Sequence, residues 1–315
     1  MWTPTYRKFK HTLMAMCRMT TPHGFEPYVW PHLPTPPHGG APGRKVTYDG
    51  GSTEIDKHGN FVVKVPGPGE RILWTAHCDT ADHEPRLVNM KWDGDMLKTD
   101  GKSILGADDK VGCAIMAMMI RAGCPGTYAF FQGEEVGCIG SGEFAKDTGI
   151  LEYDACISLD RKGYDSIITH QRGSRCCSDV WATQLAKAIW QESSEVIDLR
   201  CDPTGLFTDS AEFTDMVPEC TNLSVGYFAQ HTHAEMTNVA FAYLLCCSLI
   251  RVAGKNMVPS PVRDVIHGAD DDDDNWRRYV RNYRSHRWDY TNPDVGITDP
   301  DFLNENDWRD WKDGL

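Results

Sequence analysis

Residues 105–131 read LGADDKVGCAIMAMMIRAGCPGTYAFF, and the fold class turns on this stretch. A glycine-flanked turn carries Asp108 and Asp109, and Val111 to Ala122 is an apolar run of helical length. After a Gly/Pro break, Thr127 to Phe131 reads as an aromatic strand. The same alternation extends in both directions. Upstream, Lys45 to Thr75 holds short alternating or apolar runs punctuated by Gly and Pro, among them FVVKV at 61–65 and RILWT at 71–75, which are strand signals. Downstream come a strand over Tyr153–Leu159, a helix over Val180–Gln191, a strand over Asn222–Val225 and a helix over Ala234–Arg251. Strands interleaved with helices predict an α/β fold of three layers, α-β-α, with a mixed central sheet and helices on both faces.

Outside this body the character changes. Residues 3–20 predict an N-terminal helix, and seven prolines between Pro22 and Pro42 predict a loop or extended arm. The expected organisation is therefore an N-terminal helix and Pro-rich arm (1–44), a central α/β body (45–260) and a C-terminal extension (261–315). In the extension the run Asp270 to Asp274 precedes Arg277, Arg278, Arg281, Arg284 and Arg287, interleaved with Trp276, Tyr279, Tyr283 and Trp288. Basic residues mixed with aromatics can stack on single-stranded nucleic acid, but the adjoining aspartates compete for the same arginines. A packing or self-association role is the preferred expectation for this segment, which leaves an oligomer open.

Composition excludes several classes. Of 315 residues 41% are hydrophobic and 24% charged, an ordinary globular balance. The formal charge of −13 argues against a general binder of nucleic acid or anionic membranes. The longest apolar run, Val239 to Ile250, is closed by Arg251 and falls short of the ~20 residues of a membrane span. Near the N-terminus the apolar stretch Leu13 to Cys17 is cut by Arg18 before reaching the ~7–15 residues of a signal core, so no secretion signal is expected. Twelve cysteines, none paired as C-x-x-C, are scattered through predicted strands and helices, which suits reduced thiols in a cytoplasm.

Five segments bring carboxylates and imidazoles to the ends of predicted strands, where open α/β sheets place their sites. TAHCDT (75–80) closes the strand that starts at Arg71, and its residues two apart, His77 and Asp79, point the same way. LGADDKVG (105–112) carries Asp108, which could equally cap the helix that follows. GEEVGCIGS (133–141) sets Glu134 beside Glu135, an uncomfortable pair without a cation. SLD (158–160) ends a strand on Asp160, and HTHAE (231–235) offers His231 and His233. Taken singly each segment has a plain structural reading. Together they supply the imidazole and carboxylate ligand set of zinc or a similar divalent ion.

In this order the segments resemble the co-catalytic dinuclear zinc peptidases, a group that includes the zinc aminopeptidases, peptidase T and the aminoacylase-like hydrolases. The resemblance covers residues 60 to 255, and the first two segments look especially like peptidase T. It implies a zinc-peptidase-like fold and two Zn2+ ions, with cobalt or manganese as substitutes. His77 and Asp160 would hold one ion, Glu135 and His231 the other, and Asp108 would bridge them. Asp79 would orient His77, and Glu134 would be the general base. His231 is preferred to His233 because the family's last ligand usually precedes Ser or Thr and stands four residues before an acid, as Thr232 and Glu235 do. The resemblance also implies a cis peptide bond between Asp108 and Asp109. The substrate class is a peptide or an N-acyl amino acid.

Spacing discriminates within the group. Asp79 to Asp108 spans 29 positions and Asp160 to His231 spans 71. An inserted lid or dimerisation domain needs at least ~50 residues of its own, and neither gap has room for one beside the elements already placed there. The body is thus like the compact single-domain zinc aminopeptidases, which favours removal of N-terminal residues from short peptides. The alternatives are a deacylase or carboxypeptidase using the same metals, and a binding module working through the C-terminal extension. Other motifs fail: Gly101-Lys102-Ser103 lacks the upstream glycine of a phosphate loop, where Met96 stands, and no G-x-S-x-G occurs.

Overall fold

The computed structural model describes residues 2–34, 45–48 and 51–265. In chain order the strands are β1 (Lys45–Tyr48), β2 (Gly51–Ile55), β3 (Phe61–Val65), β4 (Ile72–His77), β5 (Met90–Asp93), β6 (Met96–Thr99), β7 (Gly126–Phe131), β8 (Ala155–Arg161), β9 (Ser166–Ile168), β10 (His170–Gln171), β11 (Ser174–Arg175), β12 (Arg200–Asp202), β13 (Glu219–Ser224), β14 (Tyr227–Phe228) and β15 (Met236–Asn238). The helices are α1 (Tyr6–Met16), α2 (Ala107–Arg121), α3 (Ile139–Phe144), α4 (Asp179–Glu192) and α5 (Val239–Gly254).

A nine-stranded mixed sheet runs in the order β1-β2-β3-β7-β4-β8-β13-β9-β12. Its centre, β7-β4-β8-β13, is parallel throughout. Every residue of β4 and β7 is buried, as happens when layers cover both faces of a parallel sheet. Helix α2 lies on β4 and β8 and packs against α1 and α5, while α4 packs against α5, β9 and β12. The short α3 packs on the 3-10 turn Asp209–Phe213, which rests on β4, β8 and β13. Trp74, Trp181, Tyr128, Phe130 and Phe131 are among the largest fully buried side chains, and Trp74 stacks on Tyr128 with centroids 6.4 Å apart. This is the three-layer α/β architecture that the alternation predicts. Among the described residues, no helix is long and apolar enough to cross a membrane.

Local differences have local causes. The N-terminal helix is shorter than residues 3–20 because Thr5 caps it, its hydroxyl accepting the Lys8 N–H at 3.2 Å, and the chain leaves the helix at Cys17. Phe9, Leu13 and Met16 of this helix are buried. The last helix starts at Val239 rather than Ala234. Met236–Asn238 pairs instead with β6, and the Asn238 side chain accepts the Phe241 N–H at 3.0 Å, a cap of about 1 kcal/mol. That pairing belongs to a second sheet, β14-β15-β6-β5, which the sequence reading did not anticipate. Pro22 to Pro34 includes two 3-10 turns, Glu26–Tyr28 and Trp30–His32. The rest of the Pro-rich arm (35–44), and the acidic and Arg/aromatic runs of the C-terminal extension, lie outside the described residues.

Candidate metal centre

The carboxyl ends of neighbouring parallel strands open on one side of the sheet, and the candidate residues stand there. His77 is the last residue of β4, Asp160 lies near the end of β8, and Glu134 and Glu135 follow β7. Asp108 occupies the first turn of α2, where it and Asp109 depart from helical dihedrals and share a cis peptide bond, as the resemblance implies. Two glycines shape this turn. Gly106 has φ +69°, and a Cβ there would meet Thr80 Cγ2 at 2.8 Å; a Cβ on Gly112 would meet the Leu159 carbonyl oxygen at 2.3 Å, so only glycine lets α2 approach β8 this closely. His231 comes from the loop between β14 and β15, at φ +62°. The second sheet holds that loop, with the Thr99 hydroxyl donating to the His233 carbonyl at 3.3 Å.

The geometry centres on one carboxylate. Asp108 Oδ1 lies 3.0 Å from His77 Nε2, and Asp108 Oδ2 lies 3.2 Å from His231 Nε2. His77 Nε2 is also 3.6 Å from Asp160 Oδ1 and 4.0 Å from Glu134 Oε2, while His231 Nε2 is 3.0 Å from Glu135 Oε1. Asp108, Glu135 and His231 bring ligand atoms within 4.8 Å of one another, as do His77, Asp109 and Asp160, and His77, Glu134 and Glu135. The three groups adjoin, sharing His77 and Glu135. His233 belongs to none of the candidate metal groups among the described residues.

Asp79 has a wider role than orienting an imidazole. Its backbone oxygen is 3.1 Å from His77 Nδ1 and its Oδ1 is 3.4 Å from the same nitrogen. Its two carboxylate oxygens also accept the N–H groups of Glu134 and Glu135, each at 3.0 Å. A single buried aspartate therefore fixes both the imidazole and the acidic pair. Tyr227 and Asn222 escaped the sequence reading, and Glu235 entered it only as the acid four residues after His231. Tyr227 donates its hydroxyl to Asp160 Oδ1 at 2.9 Å, and Asn222 brackets the Asp160 backbone with two 2.8 Å hydrogen bonds. Glu235, buried, accepts the N–H groups of Leu105, Gly106 and Asp108 at 2.8, 2.7 and 3.0 Å. Lys110, fully buried, ties the same turn to the Met19 carbonyl at 2.5 Å.

Electrostatics follow from this crowding. Burial alone would lower His231, but the Asp108 and Glu135 carboxylates override it and push its pKa up to about 11. His77, also opposed by burial, is held well above its ordinary value by Asp108, Asp160 and Asp79. Burial raises Asp108 less than the two imidazoles lower it, so it stays below the usual carboxylate range. Burial and the Asp108 charge push Asp160 up to about 7. Glu134 is raised well above its ordinary value by burial, with Asp160 and Glu135 adding repulsion against the pull of His77. Asp209, fully buried in its 3-10 turn, is pushed up to about 7 by burial, with the Asp160 charge adding to it against His77 and Ser141.

So many buried carboxylates around two imidazoles call for further positive charge. Among the described residues Glu135 Oε1 is buried without a well-aligned hydrogen bond although His231 Nε2 is 3.0 Å away, a polar atom that a cation would satisfy. Nitrogen and oxygen donors in adjoining groups fit a pair of borderline or hard divalent cations.

The sequence matches the model of peptidase family M28 over residues 60–275, more than half of the chain. Among solved structures, aminopeptidase PepT from Bacillus cereus ATCC 10987 superposes with a TM-score of 0.60 at 14% identity, covering 81% of this chain and 99% of that one. A tripeptidase from Staphylococcus aureus subsp. aureus Mu50 gives 0.61 at 16% identity over 81% of this chain and 100% of its own. An aminopeptidase from the archaeon Desulfurococcus kamchatkensis gives 0.55 at 14% identity, with 81% and 95% covered. No curated protein matches in sequence. These structural likenesses carry the fold, and the family model carries the kinship: the chain belongs to peptidase family M28, a family of metal-dependent peptidases.

Proposed function

We propose that the protein is a dinuclear zinc aminopeptidase that removes N-terminal residues from short peptides. The observation that carries this reading is the position of Asp108 between two imidazoles, one carboxylate oxygen toward each. We assign His77 and Asp160 to one ion, Glu135 and His231 to the other, and Asp108 to both. Each ion would then be held by three protein ligands, leaving room for water and substrate. Bound divalent ions at such a site acidify water and polarise the scissile carbonyl.

The chain's own residues supply the rest. Glu134, adjacent in sequence to a ligand but not itself assigned to an ion, takes the proton of the attacking water on its carboxylate and delivers it to the leaving amine. Burial raises its pKa above the ordinary carboxylate range, the direction wanted in a group that must take a proton and then return it. Asp79 positions Glu134 through the backbone hydrogen bond at 3.0 Å. A free α-ammonium group gains from the surrounding carboxylates in a partly dry pocket, and an N-acyl group forfeits that pairing. The twelve free cysteines, eleven of them buried, support a reducing compartment such as the cytoplasm.

The test compares a dipeptide with its N-acetylated form, with zinc or cobalt added. Faster cleavage of the free-amine peptide is expected. Faster cleavage of the acetylated form would replace the aminopeptidase reading with a deacylase.

A further inference from the structure

The cleft beside the candidate metal centre, about 110 Å³, is not acidic throughout: Arg161 and Lys162 line it together with Asp108, Glu134, Asp160 and His231. Arg161 ends β8 and directly follows Asp160, so the chain places a guanidinium within a side chain's reach of a metal ligand. One terminal nitrogen of Arg161 donates to Asp202 Oδ2 and Thr204 Oγ1, both at 3.2 Å, which fixes the direction of the planar head. Its Nε is buried and has no hydrogen-bond partner among the described residues. Asp202 is itself heavily used, accepting Ser166 Oγ at 2.7 Å, Thr204 N at 2.8 Å and Thr204 Oγ1 at 2.6 Å. A guanidinium that lines a cleft, with an unpartnered Nε and a counter-carboxylate shared with three other donors, is suited to a planar anion.

We infer that this cleft takes peptides carrying a carboxylate within about two residues of the scissile bond, with Arg161 as the residue that reads it. The inference rests on the peptidase reading and deepens it. The substrate then meets two poles: carboxylates and metals at its amine, and Arg161 at its anionic group. The carboxylate has two sources, an acidic side chain or the free C-terminus of a very short peptide. Both present the same planar acceptor to the guanidinium. The exposed Leu206 and the partly buried Phe207, over whose ring Arg172 sits 4.6 Å from the centroid, line the same cleft.

The experiment measures paired peptides on the full chain loaded with zinc. One arm compares Ala-Ala with Ala-Ala-amide, the second Glu-Ala-amide with Gln-Ala-amide, and the third Ala-Glu-amide with Ala-Gln-amide. In at least one arm the carboxylate member should have the lower KM by roughly ten- to hundred-fold, with a smaller change in kcat, the weight of a charge-assisted hydrogen bond. Arg161→Gln should bring that ratio close to one, and Arg161→Lys should restore part of it. Because each ratio is internal to one protein sample, partial misfolding of a variant does not imitate the effect. Calorimetric Kd values for the same pairs give the ratio without turnover, so a failure of hydrolysis is separable from a failure of recognition. Ratios near one in every arm, or a ratio unchanged in Arg161→Gln, would overturn the inference.

Discussion

Glu235 Oε1 accepts the backbone N–H of Asp108 at 3.0 Å, while its other oxygen accepts those of Leu105 and Gly106. Glu235 lies four residues after His231, so one buried carboxylate joins the loop of one candidate ligand to the turn of the bridging candidate. Glu235→Ala should therefore weaken metal binding by about 10–100-fold, the usual effect of removing a group that orients ligands. Glu235→Gln, which keeps an acceptor, should fall between the two. Competition with a chelating dye reads both, and unchanged affinity in Glu235→Ala would show that the turn holds itself.

Glu134→Gln should leave the metal content near that of the unaltered protein while hydrolysis drops by about 10²–10⁴-fold, the weight of general acid–base catalysis. The variant is isosteric, so elemental analysis and rate assays on one sample separate the two effects. Full activity would mean that another group takes the proton.

Asp79→Ala removes the acceptor of two backbone N–H groups, those of Glu134 and Glu135. Leaving part-buried donors unpaired costs on the order of 1–3 kcal/mol each. Urea unfolding of the metal-free protein should show a loss of at least about 1 kcal/mol, whereas a mere orienter of His77 would cost activity with little stability.

Metal binding should release protons and weaken as the pH falls. In the metal-free protein the carboxylates hold His231 protonated up to about 11 and raise His77 as well, against the opposing effect of burial. Both imidazoles must be neutral to bind a cation. At pH 7 each therefore gives up a proton on loading, and raising the pH lowers the cost. Calorimetry in buffers of different ionisation enthalpy should report net proton release near pH 7. Proton uptake or no exchange would contradict the assignment of the two imidazoles.

The central strands were legible because burial on both faces leaves mostly apolar runs at 72–77, 126–131 and 155–159, interrupted by little more than small hydroxyl residues before the strand ends. The second sheet was not, since β5 and β6 are only four residues each, β5 has no buried position and β6 has two, and Met236–Asn238 merges into the apolar run of α5. In the candidate centre, the residues singled out sit in compact motifs at strand ends, where sequence neighbours are also neighbours in space. Asn222, and the contacts of Glu235 with the 105–108 turn, escaped because the partners are backbone groups 62 to 130 positions away. Main-chain acceptors and donors carry no residue identity, so no spacing rule announces them. Asp79 was seen as a partner of His77 two residues off, yet its contacts with Glu134 and Glu135 lie 55 and 56 positions away.

The bridging role of Asp108 is tested most directly by anomalous diffraction at the zinc edge from crystals of the zinc-loaded protein. Two peaks about 3.5–4 Å apart are expected, the spacing of two-metal hydrolytic sites. One should lie against His77 and Asp160, the other against Glu135 and His231, with an Asp108 oxygen on each. A single peak at saturating zinc, or two peaks of which only one touches Asp108, would contradict it.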